Sequence, residues 1–413
     1  MKDPHRLIGW LEAQRPAAFE ILRELVGINS YTRNRAGVLH QAELTAARFA
    51  PLGFTAEHVP SDNPAYGDHL FLRRPHPGGP SLALVSHLDT VFPPEEEERN
   101  AFRWQPEGDR IFGPGTVDIK GGTVLALVVL QALQALAPRV FDSIDWLVAL
   151  NASEETESAH FGCLTRERIP TSALAALVFE GETPLPGRRR VVLARKGRLT
   201  FRVKVSGRAA HAGGKPHRGA SAIRQLARLI ERIESMNDPD RRLTFNIGTI
   251  SGGVSVNRVP HEAVADGEFR CFDPAVQQQT RTALEALAGV GDVRAASDGW
   301  ACRTEISFLN ESPPWPRNPG TDRLHACWQA AAADLDQVLE PEERGGISDG
   351  NLLCHHVPTL DGLGPAGDND HCSERSADGS KLPEFMDATS FVPKAALNVM
   401  GILRLVDGER LLG

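Results

Sequence analysis

Three short apolar runs decide what this chain can fold into. Ser81–Ser86, Ile144–Leu150 and Ala175–Phe179 are nearly continuous rather than alternating. A strand with one wet face alternates apolar and polar residues, whereas a strand covered on both faces does not. Gly121–Ala137, a stretch of small and apolar residues, reads as a long helix between the first two runs. Residues 1–50 read as helices, with Leu7, Leu11, Phe19, Leu22 and Leu25 near helical spacing and a second apolar set through Leu39–Phe49. Buried strands alternating with helices imply an α/β class, with a mostly parallel central sheet and helices on both faces.

The pattern changes near residue 194. Leu199, Phe201, Val203 and Val205 alternate with Thr200, Arg202 and Lys204, as in a half-buried strand. An amphipathic helix over Ala220–Met236 follows, with Ile223, Leu226, Ile230 and Ile233 on one stripe. Strands at Leu243–Ile250 and Ala263–Phe272, a helix at Ala275–Ala288 and a strand near Trp300–Leu309 complete the set. Strand, helix, strand, strand, helix, strand is the ferredoxin-like order. Residues 194–308 therefore read as a small α+β domain inserted between residues 1–193 and 309–413 of a larger one. A chain of 413 residues is also long for one core. A helix is expected near residues 393–406, and the acidic run Glu95–Glu98 reads as a solvated loop.

Composition excludes several classes. A net charge of −8 argues against a nucleic-acid partner. The longest apolar stretch, around Val124–Leu136, carries Gln131 and Gln134 and is too short and polar to span a bilayer. Met1–Trp10 has no export pattern, and six scattered cysteines without a CxxC pair suit a reducing compartment. A cytoplasmic location is the expectation.

Polar residues with metal-ligand chemistry stand where the apolar runs end. His87 and Asp89 follow the first run, Glu154 and Glu155 the second, and Glu180 the third. Asp118 lies in the glycine-rich Gly113–Gly122, just before the long helix. In open α/β sheets the ligand crevice lies outside the carboxyl ends of the strands, so these residues can converge. Imidazole and carboxylate are ligands that zinc accepts, and a set without thiolate suits a catalytic pair of divalent ions; cobalt or manganese fit the same set. Asp118 can bridge two ions, Asp89 can hold the other ring nitrogen of His87, and one of the adjacent pair Glu154–Glu155 can serve as general base. Gly113–Gly122 lacks the Gly-Lys-Ser/Thr ending of a phosphate loop, which excludes nucleotide binding by that route. Each piece alone has an ordinary structural reading, as a cap, a surface pair or a tight turn. Together at the ends of buried strands they favour a site.

Ser86–Val91, Gly113–Gly122 and Ser153–Glu155, in this order, resemble the signatures of the zinc-dependent amidohydrolases and exopeptidases. That family includes acetylornithine deacetylase, succinyl-diaminopimelate desuccinylase, aminoacylase and glutamate carboxypeptidase. The resemblance implies that His87 and Glu180 hold one zinc, that Glu155 and His371 hold the other, and that Asp118 bridges them. It makes Glu154 the general base and Asp89 the support of His87. His371 enters only by resemblance, from Gly364–Glu374, where the spacing is slightly longer than the family's. The resemblance further implies that the insert forms a homodimer, and that His211 reaches the partner's site to stabilise an oxyanion. Asn257 and Arg270 resemble a carboxylate-binding pair, Gly346 and Ser348–Asp349 a loop beneath the substrate, and Arg190 a basic residue facing an acidic side chain.

The implied activity is hydrolysis of an amide or peptide bond beside a free carboxylate, in an N-acyl amino acid or short peptide. Two other readings stand beside it: a dipeptidase acting from the amino end, and a catalytically silent dimer that binds a metabolite. Glu180 rather than Asp points away from the first, and the presence of Glu154 points away from the second.

Overall fold

The computed structural model describes residues 4–156 and 159–410. The chain divides into two compact units. The larger comprises Met1–Leu193, Arg317–Glu343 and Ser348–Gly413, and the smaller Ala194–Pro316 with Arg344–Ile347.

The larger unit is built on a six-stranded sheet in the order Thr55–Pro60, Asp68–Arg74, Asp145–Asn151, Ser81–His87, Ala175–Val178, Thr359–Leu360. The last four strands are parallel. The first two form an antiparallel hairpin on one edge, which the apolar runs do not announce. Alternate residues of one strand serve opposite faces. Leu82 and Leu84 pack in the core that holds the helix Lys120–Leu136, whereas Ala83 and Val85 pack with Phe161, Leu353 and Val357 on the other side. Burying a side chain of Leu or Val size contributes ~1.5–3 kcal/mol, and the positions Leu82 to Val85, covered from both sides, are all apolar.

The parallel register sets the strand ends side by side: His87 pairs with Asn151, and Val85 with Val178. The start of the helix Lys120–Leu136 is pressed onto this edge. A Cβ on Gly122 would lie 1.9 Å from the Phe179 oxygen. Only glycine allows that approach, which brings the Asp118 turn against the strand end carrying Glu180. The acidic run Glu95–Glu98 is not a loop but part of the short helix Pro94–Arg99. Proline at the first turn and acids near the helix N-terminus explain it. No helix among the described residues is long and apolar enough to cross a membrane.

The smaller unit is a five-stranded antiparallel sheet in the order Thr244–Gly252, Glu262–Cys271, Gly197–Ser206, Ala301–Ser312, Gly289–Arg294. Helices Ala222–Glu234 and Pro274–Glu285 accompany it. Leu199, Phe201, Val203 and Val205 pack with Leu226, Leu229 and Ile233. The strand Gly289–Arg294 is additional to the expected order; its glycines and exposed residues give it no strand signature. The expected boundary at residue 308 falls inside a strand, because Glu311 and Ser312 still pair with Leu199 and Arg198.

Candidate metal centre

His87 closes the strand Ser81–His87 and is buried. Its Nδ1 lies 3.0 Å from the Asp89 main-chain oxygen, which only accepts, so this nitrogen carries a proton. That leaves Nε2 facing the crevice, 2.9 Å from Asp118 Oδ1 and 3.9 Å from Glu180 Oε1. Asp118 turns its other oxygen to His371, whose Nε2 is 3.3 Å from Asp118 Oδ2 and 3.2 Å from Glu155 Oε2. The five expected donors thus form two sets that share Asp118.

Ligand atoms 2.0–2.1 Å from a tetrahedral ion stand ~3.3 Å apart, and the separations above bracket that figure. One ligand atom from each of His87, Asp118 and Glu180 falls within 4.8 Å of the others, and the same holds for Asp118, Asp370 and His371. The donor set fits two divalent ions. Asp370 was not singled out from the sequence, and its only signal there is adjacency to His371.

The electrostatics fit the same reading. Burial presses against charge on His87, but hydrogen bonds to Asp118 and Asp89 outweigh it and hold the ring's pKa well above the usual value. Hydrogen bonds to Asp118 and Glu155 raise His371 to about 11. Burial, reinforced by the Asp118 charge, lifts Glu155 to about 7. Burial also drives Glu154 well above the carboxylate range, with the charges of Asp349, Glu180 and Glu155 adding to it. Crowded acids sharing protons with two histidines are what a divalent pair would displace.

Asp89 links the two halves. On one side it stands against His87 Nδ1, with its main-chain oxygen at 3.0 Å and its carboxylate at 3.4 Å. On the other, that carboxylate also accepts from Glu154 N at 3.1 Å, Glu155 N at 3.3 Å and Thr32 Oγ1 at 2.6 Å. It fixes the turn bearing both glutamates. Below that turn, Asn151 donates to Asp349 Oδ1 at 2.8 Å and accepts from Ser153 N at 3.0 Å. Thr32 and Asn151 carry no sequence signal, since each acts through a single hydrogen bond or a backbone contact.

Arg190 lies on the strand Arg189–Arg195, with Nη1 3.5 Å from Glu342 Oε1. In the smaller unit, His211 accepts from Gly213 N at 3.2 Å and Gly214 N at 2.9 Å at Nδ1, which leaves Nε2 as the protonated nitrogen. Asn257 lies beside it, accepting at its main-chain oxygen from Ala212 N at 2.9 Å. Arg270 is elsewhere. It is held by Glu268 through two hydrogen bonds and by the Gly345 oxygen at 3.1 Å, while Gly346 accepts from Arg195. The ladder that pairs Arg270 with Arg198 runs to Glu262 and Ser206, then on through His261 and Gly207 to Asn257 and Ala212. Eight residues of strand alone span ~26 Å, so Asn257 and Arg270 of one chain do not form a pair.

The peptidase dimerisation domain of the M20 type matches residues 193–290. Carboxypeptidase G2 from Pseudomonas sp. (strain RS-16) is 30% identical over 379 residues, covering 90% of this chain and 87% of that protein. Succinyl-diaminopimelate desuccinylase from Paracidovorax citrulli is 26% identical over 370 residues, covering 84% of this chain and 89% of that protein. The solved structure of aminopeptidase PepT from Bacillus cereus shares the fold, with a TM-score of 0.75 at 21% identity over 95% of this chain and 99% of that one.

Proposed function

Because this chain belongs to the M20 family of metallopeptidases, we propose that it is a two-metal hydrolase cleaving an amide or peptide bond next to a free carboxylate. The observation that carries this reading is Asp118, with one oxygen 2.9 Å from His87 and the other 3.3 Å from His371. His87 and Glu180 would hold one ion and Glu155 and His371 the other, with Asp118 shared between the two sets. Membership of the family favours zinc, and cobalt or manganese fit the same nitrogen and oxygen donors. When bound, the pair supplies Lewis acidity and lowers the pKa of water.

The chain's own residues do the rest. Glu154 takes the proton of the attacking water and later returns it to the leaving amine. Asp89 keeps the Glu154 turn in place through the two backbone hydrogen bonds above. Arg270 receives the free carboxylate, its fork matching two oxygens. The protein acts as a homodimer through the smaller unit, and the partner subunit's His211 donates to the oxyanion. Asn257 of the partner subunit then meets Arg270, a pairing that the length of the strand denies to one chain. A preference for an acidic leaving residue through Arg190 belongs to the proposal, in competition with Glu342. A cytoplasmic location is also proposed, on the ground that Cys163, Cys271, Cys302, Cys327, Cys354 and Cys372 are all free thiols.

Elemental analysis of the purified protein, followed by a panel of N-acyl-glutamate, N-acyl-leucine, N-acetylornithine and free dipeptides, tests the reading. Two ions per chain and turnover of an N-acyl amino acid are expected. Fewer than two ions, or a panel left intact, sinks it.

A further inference from the structure

We propose that Glu384 is a positioning residue that ties together the two turns presenting Asp118 and His371. Its side chain is fully buried, at 0% exposure. Oε1 accepts from Val117 N at 2.9 Å, from Asp118 N at 3.2 Å and from Thr116 Oγ1 at 3.5 Å. Its own main chain grips both sides. Glu384 N donates to the Cys372 oxygen at 2.8 Å, one residue beyond His371, and Gly113 N donates to the Glu384 oxygen at 3.4 Å.

The strands around it explain why one residue can reach both turns. Arg110–Phe112 leads into the Asp118 turn, and Phe385–Asp387 leaves the His371 loop. The two pair antiparallel, with Phe385 opposite Phe112. Glu384 stands at the junction, where the ladder ends and the turns begin. Oε2 is buried and has no hydrogen-bond partner among the described residues. A buried carboxyl group with an idle oxygen is costly, so it persists where its other oxygen does something that a smaller side chain cannot. Here that oxygen fixes the backbone from which Asp118 faces both histidines. His371 itself is exposed and has a left-handed backbone (φ 64°), so nothing in its own burial holds it in place.

The proposal rests on the two-metal reading above. It predicts that what matters is an acceptor at full reach, rather than a negative charge. Glu384→Gln keeps an oxygen at the same reach. Glu384→Asp keeps the charge but withdraws the oxygen by one methylene, ~1.5 Å. Zinc affinity is measured on the whole metal-free chain by competition with a chelator, together with the melting temperature of the metal-free protein. Glu384→Gln should bind zinc within about threefold of wild type, and Glu384→Asp at least about tenfold more weakly at both positions, because Asp118 serves both. Wild-type affinity in Glu384→Asp overturns the proposal, as does an equal loss in the two variants. If Glu384→Asp does not fold, Glu384→Ala takes its place: affinity kept in Glu384→Gln and lost in Glu384→Ala supports the proposal, and equal affinity in the two overturns it. A merely structural role would lower the melting temperature without separating the two variants in affinity. Failure of the wild-type chain to bind zinc would overturn the two-metal reading itself, whereas normal wild-type binding with an unaffected Asp variant defeats only the role of Glu384.

Discussion

In the larger unit, side chains from five distant stretches meet around Asp118, with His87 and His371 2.9 and 3.3 Å from its two oxygens. In the smaller unit, His211 and Asn257 stand at one end of the Glu262–Cys271 ladder and Arg270 at the other. The contrast follows from how each sheet is covered. Parallel strands buried on both faces must end together, and whatever polar residues follow them are gathered in one crevice. An antiparallel sheet with one open face ends at two edges, and its polar residues stay ~26 Å apart unless a second molecule closes the gap. The candidate metal donors gather within one chain, while His211 and Asn257 stay apart from Arg270 along the ladder of the smaller unit.

Within the crevice, one carboxylate should matter more than any other side chain. Glu154→Ala should lower kcat by ~10²–10⁴, the span of general acid–base catalysis, while elemental analysis still finds two ions per chain. Activity close to wild type would remove Glu154 from the chemistry. Next comes the claim that the second half arrives from another chain. His211→Ala should lower kcat by ~10²–10³, as loss of one oxyanion donor does. Co-expressed with Glu154→Ala under a separate tag, it should recover about a quarter of wild-type activity, since half the randomly paired dimers carry one intact site. No recovery would place His211 in its own chain's site. A smaller effect is expected from Arg270→Ala: KM rises ~10–100-fold with kcat nearly unchanged, the mark of a charge-assisted contact made before and during the reaction. An amide substrate without a carboxylate should be insensitive to the change. If both substrates suffer equally, Arg270 does not read the carboxylate.

The same contrast explains what could be read from the sequence. The central strands and the residues that follow them were legible because double-sided burial writes continuous apolar runs, with His87, Glu155 and Glu180 as their punctuation. The edge hairpin was not, since Thr55–Pro60 is largely exposed and mixed in character. His371 sits in an exposed, glycine- and aspartate-rich loop with no period, and only resemblance to a family pointed to it. Thr32 and Glu384 left no trace, because a side chain that serves backbone donors needs no particular neighbours in sequence. Asn257 and Arg270 hide their separation for a simpler reason. They are close in sequence, and an extended strand between them turns that closeness into distance.

The smallest expected effect concerns what lies beneath the Glu154 turn. His69, on the strand Asp68–Arg74, is fully buried, and its Nδ1 accepts from Ala152 N at 3.1 Å. The rings of His160 and Phe161 lie 5.4 Å away. Burial, and then charge on His160, press its pKa down to about 4. A folded-state pKa below the ordinary 6.5 means that the folded chain refuses a proton the unfolded chain accepts. The contribution to stability is therefore complete above pH 6.5 and is lost as pH falls through about 4, by ~3 kcal/mol in all. In a unit of this size that is a shift of several degrees in melting temperature. His69→Asn keeps an acceptor near Nδ1 and removes the titration. Other groups titrate in the same range, so the quantity to follow is the gap in melting temperature between wild type and His69→Asn in metal-free protein. That gap should narrow from pH 6.5 to pH 4, and only in the transition of the larger unit. A gap that stays constant across this range would mean that His69 is not held neutral by its surroundings.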